Sequence, residues 1–147
     1  MPQSFLSNNI HLVFSTKERR PLIPTNEQKL LWAYMAGIAK NVGATPMAID
    51  GMPDHVHALA ALPADLAIAK FVNVLKSNSS KWMSERGRQF GWQKGYAAFS
   101  VSTSNLESVT EYIENQAEHH KKRDFKQELL ALLKKHRVPF DPRHVFD

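Results

Sequence analysis

Cysteine is missing altogether from the 147 residues, which excludes disulfides, zinc clusters built on thiolates and thiol nucleophiles. No apolar run approaches the roughly 20 residues that span a bilayer, and the N-terminus lacks the hydrophobic stretch of a signal peptide, so a cytoplasmic chain is expected. Acidic side chains are the scarcer sign: 14 Asp+Glu stand against 19 Lys+Arg, and the pI is near 9.6. That balance favours a polyanionic partner. No internal repeat, low-complexity segment or linker interrupts the chain. With 43% hydrophobic and 10% aromatic residues it can bury an ordinary core, and a single domain over 1–147 is expected.

Ile10 to Thr16 alternates as a strand, with Ile10, Leu12 and Phe14 on one face and His11 on the other. It runs into Lys17, Arg19 and Arg20, then Pro21 and Pro24, which leaves a basic loop that could hold phosphates or merely be solvated. Thr25 with Gln28 resembles a capping box, after which Leu30, Leu31, Tyr34, Ile38 and Val42 recur at helical spacing until Gly43. Thr45 to Asp50 and Asp54 to Leu62 flank Gly51-Met52-Pro53 and read as a hairpin. Pro46, without an N–H, suits an edge strand. Asp65 can cap a helix from Leu66 to about Met83, whose polar face carries Lys70, Lys76, Ser77, Asn78 and Lys81. That mixture suits backbone phosphates, and a solvated face looks the same. Gly95 to Ser102 is a fourth strand. Ser104 with Glu107 opens a helix to about Lys122, and Asp124 starts a last one through Lys135. The order β-α-β-β-α-β plus two helices predicts an α+β, ferredoxin-like core: an antiparallel sheet with two helices on one face, and an open face across which the helix bearing Tyr112 could lie.

Two features carry chemistry. In a strand, His55 and His57 point the same way about 6.6 Å apart, at ~3.3 Å per residue, close enough to converge on one metal ion, while Val56, Ala58 and Ala60 face the core. A bare H-x-H pair is more often two ordinary histidines on a half-solvated strand. Tyr112 and Gln116, one turn apart on a helix, change that balance. Two neutral imidazoles and the Gln116 side-chain oxygen would form a three-ligand site for Mg²⁺ or Mn²⁺, leaving the ion's charge for a phosphodiester. Tyr112 beside it is then placed as a nucleophile whose phenol needs a nearby cation to ionise. A phosphotyrosine keeps the ester's bond energy for resealing, so a tyrosine suggests breaking and rejoining, where a metal-bound water would give hydrolysis.

His-Leu-Val-Phe-Ser-Thr-Lys at 11–17, Met-Pro-Asp-His-Val-His at 52–57, Gly95-Tyr96, and Tyr-Ile-Glu-Asn-Gln-Ala-Glu-His-His-Lys-Lys at 112–122 together resemble the HUH single-tyrosine transposases, TnpA-like, of the smallest bacterial insertion sequences that move as single-stranded DNA. The resemblance covers nearly the whole chain. It implies His55 and His57 as metal ligands, Gln116 as the third, and Tyr112 as the nucleophile of a 5′-phosphotyrosine intermediate. It further implies a homodimer with sites shared between subunits, recognition of a subterminal DNA hairpin, and a prokaryotic, nucleoid-associated location. Lys17, Arg19, Arg20, Lys76 and Lys81 are the expected DNA contacts, with His119 and His120 as possible neighbours of the metal or a phosphate and His11 on an adjacent strand. Competing readings are a replication-initiator or relaxase-type nickase, which shares the histidine pair and tyrosine, a water-using metal phosphoesterase, and a non-catalytic ferredoxin-like module that binds single strands by stacking. The last calls for aromatics where this chain offers His55 and His57.

Overall fold

The computed structural model describes residues 4–145. Strands β1 (Asn9–Ser15), β2 (Thr45–Met52), β3 (His55–Ala61) and β4 (Ala97–Val101) form one antiparallel sheet in the order β2-β3-β1-β4. Helices α1 (Gln28–Asn41) and α2 (Ile68–Glu85) supply the two crossovers, which is the expected ferredoxin-like arrangement. Helices α3 (Leu106–Glu114), α4 (Gln116–His119) and α5 (Phe125–Lys135) follow β4. No helix among the described residues is long and apolar enough to cross a membrane.

Alternation sorts each strand between two layers. Ile10, Leu12 and Phe14 of β1 and Val56, Ala58 and Ala60 of β3 pack with Leu31, Met35 and Ile38 of α1 and Phe71, Val72 and Leu75 of α2. Each fully buried Leu, Met or Phe there contributes about 1.5–3 kcal/mol. The α1 stripe is rotated from the expected one: Trp32 is buried and Leu30 is exposed. On the other sheet face two small apolar clusters form, one from Val13, Phe99, Phe125, Leu129 and Leu133, the other from Ala48, Leu59, Val101 and Ile113. Helices α3 to α5 therefore cover the face left open in the bare core. β1, covered on both sides, is buried along its whole length.

Several boundaries depart from expectation for identifiable reasons. The hairpin turn is Pro53-Asp54, because Gly51 and Met52 continue β2 opposite Val56 and His55. Gly51 is required there: a Cβ would stand 2.2 Å from the His55 carbonyl oxygen and 2.9 Å from Val56 Cα. The β2 register shifts between Pro46 and Ala48 on the sheet edge, where a missing N–H is tolerated. Neither Thr25 nor Ser104 caps a helix, since each lies before or within a 3₁₀ turn preceding it, and the α2 cap position is Ala67, not Asp65. Asp124 does cap α5, in a full capping box: its carboxylate accepts from the Gln127 N–H at 2.9 Å, and Gln127 Oε1 accepts from the Asp124 N–H at 3.0 Å. The tyrosine helix, expected to be continuous to Lys122, breaks at Asn115. The Asn115 side chain donates to the Glu111 carbonyl at 2.7 Å, a local bond that competes with the helical ladder.

Candidate active site

The site lies on the α3–α5 face, over β3 and β1. His55, His57 and His11 project there from the pleat, His57 opposite Val13 and His11 opposite Leu59 in the β1–β3 register. The α3–α4 break turns Gln116 inward, where it is fully buried, and α5 adds Glu128, also fully buried. One ring nitrogen each of His55 and His57 and a Glu128 carboxylate oxygen fall within 4.8 Å of one another, a spacing at which three donors can share one metal ion. Glu128 is a candidate ligand that the sequence alone did not single out. Its signal was a carboxylate at a core-facing position of an amphipathic helix, in line with Phe125, Leu129 and Leu132.

The polar groups satisfy one another. Glu128 Oε1 accepts from His57 Nε2 at 2.9 Å and His120 Nε2 at 3.2 Å, and it lies 3.3 Å from His55 Nε2. Gln116 Oε1 lies 3.1 Å from His55 Nε2 and 3.2 Å from His120 Nε2. Tyr112 donates its phenolic hydrogen to Glu128 Oε2. Behind the ring nitrogens that face the cluster, His55 Nδ1 meets Asp54 Oδ1 at 2.7 Å and His57 Nδ1 meets His11 Nε2 at 2.8 Å. These outer bonds orient the two imidazoles and set their tautomers. Phe125 stacks on His55 with centroids 4.5 Å apart. Of the adjacent pair 119–120, His120 joins the cluster, whereas His119 stacks on the Tyr112 ring at 4.4 Å.

Charges follow from burial and these partners. Burial opposes ionisation of Glu128, but hydrogen bonds from His120, His55 and His57 outweigh it and hold the carboxyl well below the usual range. Burial likewise works against charge on His55, yet Asp54 and Glu128 raise it to about 9. His57 and His11 are lowered, first by burial; the neighbouring imidazoles lower them further. Burial, then the bond to anionic Glu128, pushes the Tyr112 phenol up, with Arg123 as the opposing cation. These shifts pair the His55 imidazolium with the Glu128 carboxylate and keep Tyr112 a neutral phenol.

The expected DNA contacts are not brought together. Lys17, Arg19 and Arg20 form a 3₁₀ turn and its cap at the end of β1, next to Asp54, with Arg20 paired to Glu18 at 2.8 Å. Lys76 and Lys81 lie on α2, in the layer across the sheet from the site. Lys81 is exposed beside Glu85, but the Lys76 ammonium donates to the carbonyls of Gln93, Lys94 and Gly95 at 2.8, 3.3 and 2.7 Å. It staples the segment before β4 to α2.

Comparison with known proteins matches residues 4–116 to the family described as "Transposase IS200 like". The matched span includes His55, His57, Tyr112 and Gln116 and ends before Glu128. The chain is 25% identical over 120 residues to the transposase for insertion sequence element IS200 of Salmonella typhimurium, covering 76% of this chain and 78% of that protein. Among solved structures it is similar to a Deinococcus radiodurans R1 protein assigned as a transposase, with a TM-score of 0.62 and 26% identity over 79% of this chain and 96% of that one. It shares its fold with a REP-associated tyrosine transposase bound to a REP hairpin, at a TM-score of 0.57 and 16% identity, covering 77% and 68% of the two chains.

Proposed function

The chain belongs to the IS200-like transposase family, and we propose that it cleaves and rejoins single-stranded DNA with Tyr112 as nucleophile and His55, His57, Glu128 and Gln116 as the metal-binding set. The observation that carries this reading is the convergence on Glu128: one carboxylate holds the phenol of Tyr112 and both histidines of the H-x-H pair.

The donor set fits a divalent ion. It combines imidazole nitrogens with carboxylate and amide oxygens, and both histidines have partners on their far nitrogens, as ligating imidazoles require. Mg²⁺ or Mn²⁺ bound there would polarise a phosphodiester and offset charge as the bond breaks. For ligation His55 gives up its proton, and the ring proton of His57 shifts to Nδ1, which reverses its bond with His11. In the cleavage step the Tyr112 oxygen attacks phosphorus as the phenolic proton passes to Glu128 Oε2, the bond from phosphorus to the DNA 3′-oxygen breaks, and that oxygen takes up a proton, relayed from Glu128 or water, giving a 5′-phosphotyrosine and a free 3′-hydroxyl. Attack by a second 3′-hydroxyl reverses the chemistry and reseals a strand.

A hairpin in single-stranded DNA is the proposed recognition element, supported by the shared fold with the hairpin-bound protein. A homodimer with shared sites is supported by β4 being an edge strand and by the polar, small link Ser102 to Asn105 before α3. Tyr112 at rest is seated against its own chain's histidines, so sharing requires α3 to cross. The test of the reaction is incubation with labelled single-stranded DNA and Mg²⁺ or Mn²⁺, followed by a denaturing gel. A covalent protein–DNA species lost in Tyr112→Phe is the expected result, and an adduct that persists in that variant removes Tyr112 from the mechanism.

A further inference from the structure

The proposed metal ligands are sealed from solvent: His55, His57, Gln116 and Glu128 are fully buried. A phosphodiester must nevertheless come within bonding distance of the Tyr112 oxygen. A cavity of about 510 Å³, bounded by α3, α5 and strands β1 and β4, is lined by Tyr112 itself and by His11. Its size falls in the range of small-molecule sites, about 300–1,000 Å³, large enough for a nucleotide and too small for a duplex.

The lining has the chemistry of a nucleic-acid backbone site. Arg123 and Lys135 supply cations, Ser108 and Asn105 supply short hydrogen-bonding side chains, and among the described residues no Asp or Glu lines the cavity. The contrast is with the cavity on the other side of the cluster, where Arg19 and Lys126 are accompanied by Glu18, Asp54 and Asp124. At one wall the exposed His136 lies flat on Phe99, with centroids 4.4 Å apart and planes 19° from parallel. A ring backed in this way is a rigid platform on which a base can stack.

Building on the transposase reading, we propose that this cavity seats the single-stranded nucleotide at the cleavage point, with Arg123 gripping the scissile phosphate beside Tyr112, Lys135 the adjoining phosphate, and His136 stacking a base. Arg123 then has a role that Lys or a distant charge does not fill, because a guanidinium can hold two phosphate oxygens in one orientation while the tyrosine approaches. None of the residues expected from the sequence to contact DNA lines this cavity.

Two measurements on the full chain test the site and separate it from the reaction. In the first, a short oligothymidylate is titrated into isotope-labelled protein. Backbone resonance shifts should concentrate at Asn105, Ser108, Ala131 and Lys135, and Ser108→Trp, an exposed residue at the cavity wall, should abolish them. Binding that maps elsewhere, or no binding, overturns the proposal. In the second, covalent-adduct formation is followed with labelled oligonucleotides tiling the DNA that flanks the chain's own coding sequence. Arg123→Ala should slow adduct formation at saturating DNA by about 10²–10³-fold, with hairpin affinity unchanged and partial recovery in Arg123→Lys. Wild-type rates in both Arg123→Ala and Ser108→Trp would overturn the cavity while leaving the transposase intact. Oligothymidylate mapped to the cavity with no adduct from any tile would uphold the binding site and refute the chemistry.

Discussion

Glu128→Gln is the substitution that separates the two possible third ligands, because it keeps the side chain's volume and removes its charge. Lifting His55 from its ordinary 6.5 to about 9 corresponds to roughly 3 kcal/mol of preference for the imidazolium. Asp54 and Glu128 share that effect, so neutralising Glu128 should cost the metal-free protein about 1–2 kcal/mol. The pH dependence has a definite sign. A raised histidine stabilises fully below its unfolded value of 6.5 and loses that contribution as pH rises through about 9. The gap between wild type and Glu128→Gln, read from urea unfolding without metal, should therefore be largest near pH 6 and narrow by pH 10. His57 and His11 are shifted downward and titrate in the opposite sense, costing stability below 6.5, which is why the difference between proteins is the quantity to follow. With Mn²⁺ in calorimetry, loss of the anionic donor should weaken binding by at least about 10-fold, and Gln116→Ala should cost less. If Glu128→Gln binds Mn²⁺ like wild type while Gln116→Ala does not, Glu128 is a hydrogen-bond acceptor and not a ligand.

His11→Ala should lower Mn²⁺ affinity by about 10–100-fold, since it frees the His57 ring that His11 orients; calorimetry at fixed pH reads this directly. Gly51→Ala should destabilise by about 1–3 kcal/mol in urea unfolding and shift the His55 and Val56 resonances, as the new Cβ displaces β3 backbone. Lys76→Ala should lower thermal stability, with a loss of about 1–3 kcal/mol from its carbonyl bonds, and leave the salt dependence of DNA binding unchanged. Mixing inactive Tyr112→Phe with inactive His57→Ala should restore about a quarter of wild-type cleavage if α3 is exchanged between subunits. Background activity after native mass spectrometry has shown subunit exchange would place the working tyrosine in its own chain.

What the sequence by itself determined follows from periodicities that need no tertiary knowledge. Period-two alternation puts His55 with His57 on one sheet face and Val56, Ala58 and Ala60 on the other, and the order of elements specifies the ferredoxin-like core. His55, His57, Tyr112 and Gln116 stood out as candidates because each pair is local, two or four positions apart, and local spacing maps directly onto strand or helix geometry. The rest is long-range. Glu128 meets His57 across 71 positions, and Lys76 meets Gln93 across 17. His120 in place of His119, and the inward turn of Gln116, depend on the helix break at Asn115, where one side-chain bond outweighed a continuous helical pattern. A carboxylate on the apolar stripe of α5 was visible, but which donors would compensate its burial was not: that depends on how α5 packs across β3 and β1, and side chains distant in sequence find one another only once the packed face has closed over them.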